Sequence, residues 1–146
     1  GQEPRSIQKV ASGGELSRIA LAIKTVTANR DGSPASMVFD EIDTGIGGRT
    51  AQMVAERIAM VAAHRQVLCI THLPQIACMA DTHLYISKHV IDNQTSTVIH
   101  PLTTGERVNE IARMASGANV SSASLDNARE MIAYAGVKKE EYKKNG

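Results

Sequence analysis

Two short apolar runs, each closed by polar or charged residues, constrain this chain more than any other feature. A-S-M-V-F (35–39) ends in Asp40-Glu41, and V-L-C-I-T (67–71) ends in His72. An apolar run of that length between turn signals suits a buried strand of a parallel sheet. Helical stripes surround the runs. Leu16, Ile19, Ala20, Ile23 and Val26 precede the first run, and Ala51, Val54, Ala55, Ile58, Val61 and Ala62 lie between the runs. Apolar residues at such spacing form one helix face that seeks a core. Helices alternating with buried strands predict an α/β layered fold, a mainly parallel sheet flanked by helices.

The remaining chain fills in this outline. Ser12 and Glu15 form a capping-box signature ahead of the first helix. Asp31-Gly32-Ser33-Pro34 breaks the chain after it. Pro74 opens a short helix to about residue 80. Segments 82–88 and 95–101 flank Asp92-Asn93-Gln94 and predict a hairpin with a longer loop. Val108, Ile111, Ala112 and Ala115 mark a third helix closed by Gly117. Leu125, Ala128, Ile132 and Ala135 mark a fourth closed by Gly136, after which 137–146 is expected to be a solvated, frayed tail.

Composition narrows the function classes. The 146 residues, 42% hydrophobic and 21% charged, can build a real core. No apolar run reaches the 18 or so residues of a membrane span. Aromatic residues, at 3%, argue against a base-stacking platform. A net charge of +1 points to neither nucleic acid nor membrane. Two cysteines make no disulfide framework and fit a reducing cytoplasm. The N-terminus lacks the apolar region of a signal peptide, and its start at Gly1 rather than methionine reads as an excised piece.

Three constellations can carry chemistry. Ser12-Gly13-Gly14 opens a helix, where two glycines admit close approach and free N–H groups favour an anion such as phosphate. Asp40-Glu41 stands at the carboxyl end of a strand, where ligands of open α/β sheets bind. Two carboxylates there can divide the work, one holding Mg²⁺ through water and the other orienting an attacking water. Asp43 adds a third acid. Thr71-His72 repeats the arrangement after the second strand, and an imidazole there can contact a phosphoryl oxygen or the water. Cys69, His72, Cys78 and His83 loosely imitate a zinc spacing, but Cys69 lies mid-strand, and buried reduced thiols are the simpler account. Neither G-x-x-x-x-G-K-[ST] nor G-x-S-x-G occurs.

In order, these motifs resemble the ABC-type ATPase head. A-S-G-G-E-L-S-R (11–18) resembles its signature, M-V-F-D-E-I-D-T-G (37–45) its Walker B strand with catalytic glutamate, and C-I-T-H-L-P-Q (69–75) its switch-histidine segment. The wording V-A-S-G-G-E-L-S-R, F-D-E-I-D-T-G-I and I-T-H-L-P-Q-I-A is similar to the RecN family of bacterial DNA repair proteins, relatives of the SMC proteins. D-E-I-D stands where transporter subunits usually have D-E-P-T. The resemblance implies that 1–136 is the C-terminal lobe of a head whose phosphate loop lies elsewhere in the full protein. It implies ATP and Mg²⁺ as ligands, with Asp40 supporting the metal, Glu41 as general base and His72 sensing the γ-phosphate. Ser12, Gly13, Gly14 and Glu15 would meet ATP held by a second head, and Asp43, Thr44 and Gly45 would border the nucleotide, with 44–47 as the loop across the dimer. Gly47 departs from the aspartate common there. The implied partners are the Walker A lobe, a second head and DNA, with no membrane. The implied setting is cytoplasmic and nucleoid-associated, and the implied work is double-strand-break repair by recombination. Another SMC-like chromosome organiser or a transporter subunit is the alternative.

Overall fold

A computed structural model describes residues 12–27, 36–91 and 94–144. In chain order the elements are α1 (Gly13–Thr27), β1 (Ser36–Phe39), α2 (Gly48–Ala62), β2 (Gln66–Cys69), α3 (Pro74–Ala77), β3 (Leu84–Ile91), β4 (Gln94–Pro101), α4 (Thr104–Ser116) and α5 (Ser122–Lys144). The expected break at 31–34 lies outside the described residues.

β1 and β2 pair in parallel, with Met37 opposite Val67 and Phe39 opposite Cys69. The ladder continues one step, as the Ile70 N–H donates to the Phe39 carbonyl at 3.0 Å. Both strands therefore end at the same edge, and the residues that follow them share it. Met37 and Phe39 join Val54, Ala55, Ile58 and Ala59 of α2 in one core. Val38 and Leu68, paired on the other face, are 68% and 46% exposed. The strands are thus covered on one face only among the described residues, whereas the continuous apolar runs predict cover on both. The second sheet is an antiparallel β3–β4 hairpin paired from Leu84↔Pro101 to Ile91↔Gln94. Among the described strands, one pair is parallel and the longer pair is antiparallel, so the expectation of a mainly parallel sheet is not confirmed. The strands run beyond 88 and 95 to the pair Ile91↔Gln94, and Asp92 and Asn93 of the expected loop lie outside the described residues.

Two helices depart from their sequence patterns. In α1 the expected inward stripe faces out: Leu16, Ile19, Ile23 and Val26 are exposed, and the buried large apolar side chain is Leu21. Ser17 and Arg18 share the Leu21 side of the helix, and their bonds to the turn after β1 set its rotation. In α5, Gly136 does not close the helix, which continues to Lys144. Its backbone does not enter the left-handed region that a glycine stop uses, unlike Gly117 after α4. The expected frayed tail is helical, with Tyr142 against the core, Lys139 bonded to Asp81 at 2.9 Å, and Lys138–Glu141 and Lys143–Glu140 pairs. Ala128 and Ala135 of α5 are fully buried in the same core as Ile111 and Ala112 of α4. A Thr103–Glu106 capping box starts α4. No described helix is long and apolar enough to cross a membrane.

Candidate functional site

The turn after β1 is built around one unusual backbone angle. Glu41 has φ +56°, the left-handed region that a residue with a Cβ seldom occupies. Such strain costs on the order of 1–3 kcal/mol and persists only where neighbours over-determine it. Here they do. The Asp40 Oδ1 accepts the Glu41 N–H at 2.9 Å. The Thr44 N–H closes onto the Glu41 carbonyl at 3.0 Å. Ile42 is fully buried. From α1, the Ser17 hydroxyl donates to the Asp40 carbonyl at 3.0 Å. Arg18 Nη1 donates to the Ile42 and Thr44 carbonyls at 3.1 and 3.0 Å. One guanidinium thereby fixes both sides of the turn.

The start of α1 lies directly against this turn. A Cβ on Gly13 would stand 2.6 Å from Glu41 Oε2. A Cβ on Gly14 would stand 2.7 Å from the Glu41 carbonyl oxygen and 3.2 Å from the Thr44 Cβ. The two glycines are what let helix and turn approach so closely. Ser12 caps the helix: its N–H and hydroxyl both donate to Glu15 Oε2, at 2.7 and 3.0 Å, and its oxygen accepts the Glu15 N–H at 3.3 Å. Those backbone and side-chain bonds from Ser12 hold the Glu15 carboxyl below the usual range. Glu15 therefore works in the cap, with its carboxylate spent on Ser12. Gly45 takes φ +73°, which suits the reversal of the turn. Gly47 is extended and stands at the N-cap of α2.

Asp43 turns inward, away from the surface on which Asp40 and Glu41 stand exposed. Its Oδ2 accepts the Thr71 hydroxyl at 2.6 Å and the His72 N–H at 2.9 Å, and lies 3.1 Å from His72 Nδ1. Burial opposes ionisation of Asp43, but the Thr71 hydroxyl and the His72 N–H, with the His72 ring beside it, prevail and hold its carboxyl below the usual range. The Thr71 hydroxyl also accepts the Leu73 N–H at 3.0 Å, so the segment after β2 is held as firmly as the turn after β1. The His72 side chain is 73% exposed at the shared edge. Asp43 and His72, 29 residues apart, are thus brought into contact.

Asp40 is the residue best placed to support a cation. It is exposed at the end of β1, with one oxygen engaged by Glu41 N–H and, among the described residues, no protein donor on the other. One carboxylate with retained waters suits Mg²⁺. No three His, Cys, Asp or Glu side chains among the described residues converge as a protein-only metal cage. Burial, then the charges of Asp43 and Asp40, pushes the Cys69 thiol up to about 12; burial pushes Cys78 up to about 11. Neither is a poised thiolate.

Sequence reasoning finds the edge residues but misses Ser17 and Arg18 as clamps of the turn. Their signal is present: both follow the capped glycine turn within one helical turn or so. Their targets are backbone carbonyls, which no side-chain pattern reveals.

No family model matches the chain. Its sequence is 50% identical over 135 residues to the DNA repair protein RecN of Bacillus subtilis, covering 92% of this chain and 23% of that protein. It is 49% identical over 133 residues to RecN of Deinococcus radiodurans, 91% of this chain and 23% of that protein. Against RecN of Haemophilus influenzae the figures are 42% over 132 residues, 90% and 24%. The chain spans about a quarter of the length of the curated relatives it matches. A short motif can recur by chance, but identity at this level across nine-tenths of the chain does not: the chain belongs to the RecN family.

Proposed function

We propose that this chain is the C-terminal lobe of an ATP-hydrolysing head and that the full protein acts in DNA repair. The observation that carries this is the convergence at one edge. Ser12–Gly14 abuts the turn of Asp40 and Glu41, and His72 follows the neighbouring parallel strand. Open α/β sheets bind ligands at the carboxyl ends of their strands. The relatives' name, DNA repair protein, supplies the process; the motif order supplies the reaction.

In this reading Glu41 is the general base. Its exposed carboxylate takes a proton from the water that attacks the γ-phosphate of ATP. The strained, clamped backbone keeps Glu41 at the edge. Asp40 would hold Mg²⁺ through water, and the bound cation would neutralise charge on the phosphates. His72 contacts the γ-phosphate through its exposed ring. The sequence holds no phosphate loop, so that loop comes from another part of the full protein. Ser12, Gly13 and Gly14 meet ATP bound to a second head, and 44–47 lies across the junction. ATP then joins two heads and hydrolysis parts them, on chromosomal DNA in the cytoplasm, in recombinational repair of double-strand breaks. Residues 1–136 form the lobe, and 137–144 extend its last helix.

Light scattering on the full-length protein carrying Glu41→Gln tests the composite site. Mg-ATP should double the mass of the wild-type-signature protein, and Ser12→Arg should abolish the doubling while leaving ATP binding. Equal ATP-dependent doubling with Ser12→Arg would remove Ser12–Gly14 from the junction.

A further inference from the structure

The hydrolysis reading gives His72 a task and leaves Asp43 with none. We propose that Asp43 is a positioning residue: it fixes the ring orientation and tautomer of His72, so that Nδ1 carries its hydrogen toward Asp43 and the bare Nε2 is the nitrogen offered to the attacking water, whose O–H it can accept. This inference rests on the nucleotide-hydrolysis reading for what Nε2 meets, though not for how the ring is held.

The geometry supports it from three sides. The Asp43 side chain is 4% exposed, so it is shut away from any ligand that the exposed His72 can reach. An ionised carboxylate carries no hydrogen to donate, so the ring nitrogen in ion-pair contact with its Oδ2 at 3.1 Å is favoured as the one bearing hydrogen. The same oxygen also receives the His72 N–H at 2.9 Å, pinning the backbone and ring of one residue to one point. The Thr71 hydroxyl donates to the same oxygen at 2.6 Å and orients the carboxylate. The four atoms involved come from two loops that follow neighbouring parallel strands, so Asp43 also ties the base-bearing turn to the histidine segment. At metal-ligating histidines, loss of the carboxylate that holds the second nitrogen typically costs about 10–100-fold, and the same orienting role sets the scale for His72.

The test uses the full-length protein with isotope-labelled histidine. Nitrogen chemical shifts of His72, identified by its loss in His72→Ala, should report the Nδ1–H tautomer in the wild type; a predominant Nε2–H tautomer overturns the proposal without any Asp43 variant. Asp43→Asn should mix the tautomers and lower kcat about 10–100-fold with little change in KM. In a His72→Ala background, measured by single turnover, Asp43→Asn should lower the rate no further. An equal loss in both backgrounds would make Asp43 a structural residue only. If the wild type does not hydrolyse ATP, the hydrolysis reading fails while the tautomer result still decides the placement of the ring.

Discussion

Gly13 and Gly14 look alike in sequence but face different obstacles. A methyl group on Gly14 would meet the Glu41 backbone carbonyl, which is clamped by Thr44 and by the bonds of α1 to the turn. One on Gly13 would meet the far end of the Glu41 side chain, which can swing aside. Gly14→Ala should therefore destabilise the fold by about 1–3 kcal/mol, the usual range for overpacking. Gly13→Ala should leave stability nearly unchanged while displacing the Glu41 carboxylate. Denaturant unfolding of both variants checks the contrast; equal losses would show that the turn is not held against the helix. At this scale the sequence discloses which residues are exposed at the strand ends, because Asp40-Glu41 and His72 directly follow apolar runs. It does not disclose that Asp43 points inward. That depends on the left-handed step at Glu41, which no residue type at that position announces.

The Ser12–Glu15 side-chain cap was legible, whereas glycine is an ambiguous stop signal. The Ser12–Glu15 box is present as the spacing predicts, and Gly117 closes α4 with φ +79°. Gly136, in the same apparent position after an apolar stripe, lies inside α5. What differs is the chain beyond it. Lys138, Lys139, Tyr142 and Lys143 have partners at helical spacing or in the body of the protein, so continuing the helix is the lower-energy course. An added Cβ at Gly136 meets nothing. Gly136→Ala should then stabilise the protein by roughly 0.5–1 kcal/mol through reduced chain entropy and higher helix propensity. A rise in Tm is the expected result. A fall would mean that Gly136 is a left-handed stop and the helix ends there. The α1 stripe is a different kind of misreading. Periodicity shows that Leu16, Ile19 and Ile23 share a face, but not that the cover for that face lies within these residues.

Across the whole molecule the apolar surface is unevenly distributed. One core joins β1, α2, α3, α4 and α5, while Val38, Leu68 and Ile70 on the sheet and Leu84, Ile86 and Ile99 on the hairpin remain exposed. Contiguous exposed apolar surface marks a place where something else docks. That distribution accords with a lobe taken from a larger head, as does a match to about a quarter of each relative. It also explains why strands read as buried on both faces are covered on only one. The fold class was legible from alternation of helix and strand; the sheet composition was not, since the hairpin and the parallel pair are separate two-stranded sheets. The account stands on Glu41 as the base at the shared edge, and hydrolysis by the full-length protein tests it most directly. ATP binding and turnover should be measured for the wild type and for Glu41→Gln. Loss of the base should lower kcat about 10²–10⁴-fold, the range for general-base catalysis, with ATP still bound. Turnover by Glu41→Gln at the wild-type rate would contradict the account.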